Sequence, residues 1–362
     1  MVPAVQTPFL LHAALLLFIQ PLSLLAIIFF SGVLNRRRLA LSTARNPLLL
    51  VLCAALLQLG VMQGLASRAW MTVAILLSLL ALGFTQRLIA AKPEDNQRPN
   101  PALAWYQAAL LWLAIGQLAL LPLPWMDAWR APLEGLHAQL GLYGFLVVAG
   151  IASLQILLPA LTRRADPTLS VRLCEDLPIA CFGVALLGAG PWLHPLIGAL
   201  GLVCLSLPVL RIFNVWWRLY RAEILSLHGM APVLAAALLG LLCVLFAALL
   251  DRDNAGLFIA CFFFPLLAGA ASWLLPLWQL NRVDSAPARL EHLPINHWGG
   301  VRGGLYVLSA LAYLLVPDAR ALLPALLAFV WFSWVLVRWL HNAPPTPPYM
   351  PGRAAGETPG KR

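Results

Sequence analysis

Long apolar runs separated by short polar segments repeat along the whole chain of 362 residues. A bilayer core about 30 Å thick needs roughly 20 consecutive apolar residues for a helix to cross it. The runs predict eleven transmembrane helices, near residues 9–31, 47–65, 69–89, 102–124, 134–160, 173–190, 193–211, 227–250, 255–279, 301–316 and 318–340. The pattern therefore predicts an all-α fold, a polytopic bundle of helices within a membrane.

The polar segments between these runs are too short to form a soluble domain. Residues 1–341 are predicted to be one transmembrane domain, and the Pro-rich stretch 342–362 a disordered cytoplasmic tail. One weak internal repeat is visible. Residues 144–164 and 262–282 share an apolar run, an Ala-Gly pair, a Leu-Leu-Pro sequence and a basic residue at the end. Both copies are predicted to cross in the same direction.

The orientation follows from the basic residues, which cytoplasmic loops carry in excess. With the N-terminus outside and the C-terminus in the cytoplasm, all but four of the 24 Lys and Arg residues fall in cytoplasmic segments. The exceptions are Arg68, Arg130, Arg252 and Arg320. One span more or fewer within the chain spoils this alternation, which favours eleven.

Composition agrees with a membrane location, since 61% of the residues are hydrophobic and 10% are charged. The net charge of +10 is explained by the basic cytoplasmic loops. We therefore predict the lipid bilayer as a partner and no nucleic-acid partner.

The predicted spans carry no Asp, Glu or Lys near their middle. This argues against a proton-coupled transporter with a carboxylate relay, and against a glycosyltransferase that needs an acidic pair in an outer loop. Histidine is the ionisable side chain that remains for chemistry within the membrane.

Three histidines are predicted at the same membrane depth, near the outer ends of their spans: His12, His137 and His194. A neutral imidazole binds metal ions and is an axial ligand of haem iron. All three are candidate cofactor-binding residues, with His137 and His12 the candidate metal ligands. His228 is predicted at the opposite face, and His292 and His297 lie in a polar inner segment, where solvated side chains are expected.

The helix that begins near His137 has small residues below the imidazole. At 3.6 residues per turn, Gly141, Gly144 and Val148 would follow His137 along one face. A flat macrocycle fits a face without bulky side chains. The competing interpretation is that the two glycines allow a neighbouring helix to approach closely.

The segment "LHAQLGLYGFLVVAGIASLQILLPAL" resembles a pattern in the NnrS family and in catalytic subunits of haem-copper oxidases. In those proteins a helix begins with His, contains Gly residues in its first turns and ends at Leu-Pro. The opening "TPFLLHAALLLFIQPLSLLAIIF" is similar to the NnrS start, and "FFFPLLAGAASWLLPLWQLNR" to the second half of such proteins. Of the candidate residues, His137 is the one that matches a motif histidine.

The resemblance implies a protein of the bacterial inner membrane that binds haem and, less strongly, copper, with a role in nitric oxide or respiratory metabolism. Other respiratory-chain or membrane subunits would then be its partners. Two other classes stay open. One is a transporter or channel for a neutral or lipidic substrate, which in-span glutamines such as Gln117, Gln139 and Gln155 would suit. The other is a non-catalytic assembly subunit, so the sequence leaves open whether the protein is an enzyme.

Overall fold

The computed structural model describes residues 12–35, 41–67, 69–91, 99–123, 125–252, 254–279 and 294–342. Within these ranges the chain is all-α and contains no β-strand. We number its long helices α1 His12–Leu34, α2 Ser42–Met62, α3 Ala69–Ala90, α4 Ala102–Ala119, α5 Arg130–Thr162, α6 Leu169–Leu193, α7 Pro195–Leu219, α8 Ala231–Leu249, α9 Ala255–Pro276, α10 Gly299–Leu315 and α11 Ala319–Asn342.

Ten of these helices are long and apolar enough to cross a membrane, and α10 is a shorter apolar helix. The predicted class is therefore confirmed as a multi-pass helical membrane protein. The predicted tail from residue 343 onward lies outside the described residues. The orientation with the N-terminus outside stays a prediction.

Contacts between helix ends agree with the predicted alternation of the spans. The indole Nε1 of Trp105, at the start of α4, donates to the carbonyl of Leu173, at the start of α6, at 2.8 Å. Both residues are predicted at the cytoplasmic end. At the other end, the Trp129 ring stacks on the Trp192 ring with centroids 5.6 Å apart. Helix ends predicted on the same side therefore meet in the structure.

Helix α5 lies at the centre of the bundle. Every residue from 148 to 158 is buried, whichever face of the helix it occupies. A helix that is apolar all round lies either in lipid or in the core of a protein, and for residues 148–158 neighbouring helices provide the cover. The helix is also longer than a bilayer requires, with 33 residues, so part of it extends beyond the hydrocarbon core.

Three helices contain a stretch of π-helix near their N-terminal ends: Leu15–Ile19 in α1, Leu140–Val147 in α5 and Phe258–Phe263 in α9. A π-helix has i→i+5 hydrogen bonds and a wider turn than an α-helix, and it is frequent at functional sites. The stretches in α5 and α9 precede or overlap the start of the two repeated sequence segments. The repeat thus has a structural counterpart in two of the helices.

Helices α8 and α9 approach so closely that one position accepts only glycine. A Cβ placed on Gly240 of α8 would overlap the backbone carbonyl of Cys261 in α9. A backbone carbonyl cannot rotate away as the end of a side chain can. Small residues allow this kind of close approach in membrane bundles.

We expect Gly240→Ala to destabilise the bundle by about 1–3 kcal/mol, because the added methyl group must push two helix backbones apart. The midpoint of thermal unfolding in detergent measures the loss. Gly60→Ala in α2 is the matched control, since no atom lies within 4 Å of a Cβ placed there. Equal midpoints for the two variants would contradict the close approach.

Candidate functional site

His137 lies in the N-terminal part of α5, just before the π-helical stretch, and its ring is fixed by a backbone contact. Its Nδ1 is 3.1 Å from the carbonyl oxygen of Gly116 in α4. A carbonyl only accepts hydrogen bonds, so Nδ1 must carry the proton and donate it. In the neutral imidazole the lone pair is then on Nε2, and Nε2 is free to bind a metal ion.

His12 lies close to this imidazole. It begins α1, is half-buried, and is near enough to His137 for the charge of one ring to act on the other. Two residues that lie 125 positions apart in the sequence are therefore within electrostatic range of each other. These two are the predicted metal ligands, and we call them the outer histidine pair.

His194 is exposed and has a different task. It is the N-cap of α7, and its Nδ1 accepts a hydrogen bond from the backbone N–H of Leu196 at 3.2 Å. An accepting Nδ1 places the proton of the neutral ring on Nε2, so neither nitrogen offers a free lone pair. The structure gives His194 a capping role, and we leave it out of the outer histidine pair.

The space beside His137 differs from the helical-wheel prediction. A Cβ on Gly141 would meet no atom within 4 Å, which leaves that position open. Beside Gly144 there is no free space, because a Cβ there would lie 2.6 Å from Cβ of Trp112. The wider turn of the π-helix breaks the 3.6-residue spacing that was expected to align these glycines with Val148. Of these two glycines, only Gly141 leaves free space beside the helix.

Two glutamines, one next to Gly116 and one two residues after His137, hold buried oxygens without a hydrogen-bond partner in the described part of the chain. They are Oε1 of Gln117, which follows Gly116, and Oε1 of Gln139. Buried polar atoms in native proteins are nearly always satisfied by protein groups, water or a ligand. The outer ends of α4 and α5 therefore present two acceptors in addition to the histidine pair.

The opposite end of the bundle contains buried charges that the sequence analysis missed. Arg172 and Asp166 have side chains that are 3% and 0% exposed, and they form an ion pair at 2.7 Å. The Nε of Arg172 also donates to Oε1 of Gln155 at 2.8 Å. Burial opposes ionisation of Asp166, but hydrogen bonds from Thr168 and Arg172 outweigh it and lower the pKa of this carboxyl.

A second ion pair lies beside the first. Asp176 is fully buried, and its Oδ1 accepts from Arg211 of α7 at 2.6 Å. Arg211 also contacts Glu175 at 2.7 Å. The spacing of Arg172 and Asp176, one turn apart in an otherwise apolar helix, is the signal that predicts such a cluster. These residues join α5, α6 and α7 at the end predicted to face the cytoplasm.

Tyr220 completes the connection between α5 and α7. Burial, with the nearby charge of Asp166, raises the pKa of Tyr220 to about 12. The phenol therefore stays protonated at neutral pH and donates to the carbonyl of Arg164 at 2.7 Å.

The inner histidines form a loose pair. The rings of His228 and His297 have centroids 6.1 Å apart, and Nδ1 of His228 accepts from the backbone N–H of Trp298 at 3.4 Å. His292 lies outside the described residues. Among the residues that the structure describes, no three His, Cys, Asp or Glu side chains are grouped so as to hold a metal ion.

Comparison with known proteins gives no relative: no family model, curated protein sequence or solved structure matches this chain.

Proposed function

We propose that this protein binds haem in its outer membrane leaflet, with Nε2 of His137 as an iron ligand and His12 as the second. The proposal places it with the NnrS-like and oxidase-like proteins that its sequence resembles. It would act in the bacterial inner membrane, in nitric oxide or respiratory metabolism.

The observation that carries the proposal is the hydrogen bond from Nδ1 of His137 to the carbonyl of Gly116. Histidines that bind metal ions almost always donate their other ring nitrogen to a carbonyl, carboxylate or water. That bond fixes the ring orientation and the tautomer, and it makes the free nitrogen a better donor. His137 thus has the arrangement of a metal-binding histidine.

The number of donors favours haem over a copper or zinc ion. Haem brings four nitrogen ligands of its own, so the protein supplies only the axial positions, and two histidines are enough for them. A protein-bound zinc ion needs at least three protein ligands, and a blue-copper centre has two His and one Cys. No group of three is found in the described part of the chain. Copper therefore has less support from this structure than haem.

When bound, haem would supply redox chemistry and binding of small diatomic molecules. The chain would hold the iron through the outer histidine pair and leave room for the macrocycle at Gly141. The apolar core formed by α5 would exclude water beneath it. The unpaired oxygens of Gln117 and Gln139 would accept hydrogen bonds from water or from a protonated group near the outer surface.

The test is optical. Protein purified in detergent, from cells with an ample supply of haem, should show a Soret band and a reduced-minus-oxidised difference spectrum. A pyridine haemochrome assay should give a ratio of haem to chain near unity. Protein without a Soret band under these conditions would refute the proposal.

A second function is favoured by the buried glutamines. The unpaired Oε1 atoms of Gln117 and Gln139 would suit a neutral substrate that donates hydrogen bonds during passage. Flux of such a solute or lipid in proteoliposomes, equal in the wild type and in His137→Ala, would support transport. If neutral solutes and lipids show no flux and the protein contains haem, transport would be rejected and the haem proposal would be retained.

A further inference from the structure

The C-terminal end of α7 carries a stack of two aromatic rings and a cation on its exposed side. The rings of Phe213 and Trp217 have centroids 6.2 Å apart and planes 11° apart. The guanidinium carbon of Arg221 lies 5.3 Å from the centre of the Trp217 ring. The two rings are 41% and 42% exposed, so the stack faces out of the bundle.

The length of α7 places this stack at the membrane interface. The helix has 25 residues, whereas about 20 cross the hydrocarbon core, so its last turn extends into the headgroup region. This end is the one predicted to face the cytoplasm. Trp217 is then at the depth where tryptophan is enriched in membrane proteins.

Two of the cations at this end lack a carboxylate partner in the described part of the chain. Arg211, two residues before Phe213, is neutralised by Glu175 and Asp176. Arg218 and Arg221 are exposed and form no ion pair with a described residue.

The nearest acidic residue along the chain does not neutralise these two cations. Glu223 follows Arg221 by two residues, but its carboxylate lies 3.9 Å from Arg164 of the α5–α6 loop. Positive charge is therefore left at the end of α7, beside an exposed aromatic surface.

We propose that this end of α7 binds an anionic phospholipid of the adjacent leaflet. Arg218 and Arg221 contact the phosphate oxygens, which guanidinium groups recognise with several donors in one plane. Trp217 and Phe213 pack against the glycerol region and the first methylenes of the acyl chains. The cation–π contact with Trp217 holds the Arg221 guanidinium in place before the lipid arrives, which lowers the entropy lost on binding.

The aromatic surface favours a lipid over a free anion. A soluble phosphate would use the two cations and leave Phe213 and Trp217 without a role. A phospholipid satisfies both parts of the surface, because it joins a phosphate to an apolar chain at the depth where the two meet. Clusters of Arg beside a membrane helix attract anionic headgroups by about 1 kcal/mol for each cation.

The experiment uses the full chain in nanodiscs of phosphatidylcholine with increasing phosphatidylglycerol, and native mass spectrometry counts the phosphatidylglycerol retained. We expect Arg218→Gln with Arg221→Gln to weaken retention by about thirtyfold, since each cation contributes about 1 kcal/mol. Trp217→Leu keeps both charges and should weaken it by a few fold. All three positions are exposed, so the variants should fold, and their unfolding midpoints in pure phosphatidylcholine should equal that of the wild type.

Arg338→Gln is the matched control, because it removes an exposed cation at the same predicted face and has no ring partner among the described residues. It should change retention less than twofold. A double variant no weaker than Arg338→Gln would overturn the proposal. Displacement of phosphatidylglycerol by millimolar inorganic phosphate would identify a site for soluble anions and overturn the lipid part. Unchanged retention in Trp217→Leu would overturn the role of the aromatic stack.

Discussion

His137→Ala is expected to lose the Soret band of the purified protein, with haem occupancy at least about tenfold below that of the wild type. The variant removes the nitrogen that we assign to iron and leaves the Gly116 carbonyl without its donor. Pyridine haemochrome measured against protein concentration gives the occupancy. His12→Ala should shift the spectrum, because it would remove one of the two residues proposed to hold the haem while His137 remains.

His194→Ala is the control for this series. His194 is exposed and caps α7, so its removal should leave the spectrum unchanged and cost about 1 kcal/mol of helix stability. Full occupancy in His137→Ala would show that the iron is held elsewhere. A His137→Ala protein that elutes as an aggregate would not count as evidence for ligation, so gel filtration accompanies each spectrum.

Arg172→Leu is expected to destabilise the protein by about 3–5 kcal/mol, because it leaves the buried carboxylate of Asp166 without its partner. The double variant with Asp166→Leu should recover most of that loss, since an apolar pair replaces a buried ion pair at little cost. Glu134→Gln is the control: its ion pair with Arg130 is exposed and 3.9 Å long, and about 0–1 kcal/mol is expected. A loss in Arg172→Leu no larger than in Glu134→Gln would contradict the role of the buried pair.

The same pair predicts how stability depends on pH. The pKa of Asp166 is lower in the folded protein than its ordinary value, so the folded state binds this proton less tightly. The stabilisation is present above the pKa of the unfolded chain, about 3.9, and is lost as the pH falls through the lower folded value. Unfolding midpoints of the wild type should therefore fall in acid more steeply than those of the Arg172→Leu, Asp166→Leu double variant.

The sequence predicted the helices well and their side-chain contacts poorly. Apolar runs locate helices because a bilayer admits no other backbone structure without a closed barrel, so the composition of a segment is enough. The predicted span 134–160 corresponds to α5, although the structure begins this helix at Arg130. The difference arises because the first turns of α5 are amphipathic and lie toward the outer surface, where hydropathy no longer marks the helix.

For Gly144 the structure favours the second of the two interpretations, the close approach of a neighbouring helix. An α-helical wheel aligned it with His137, but residues 140–147 adopt a π-helix, and Trp112 of a neighbouring helix fills the space. Nothing in the apolar sequence "LGLYGFLV" distinguishes a π-helix from an α-helix, because the choice depends on how neighbouring helices pack. The capping contact of His194 was likewise not predicted, because it depends on the local backbone geometry at the start of α7.

By itself the sequence determined the helical class and the positions of the apolar helices, because both follow from local composition and from the lipid solvent. Only the tertiary structure decided which side chains meet. It placed His12 within electrostatic range of His137, it assigned the proton of His137 through Gly116, and it buried the ion pair of Asp166 and Arg172. The physical reason is that apolar helix faces are nearly equivalent in composition, so the neighbours of a helix are selected by the shape of the packed surfaces, which no single segment encodes.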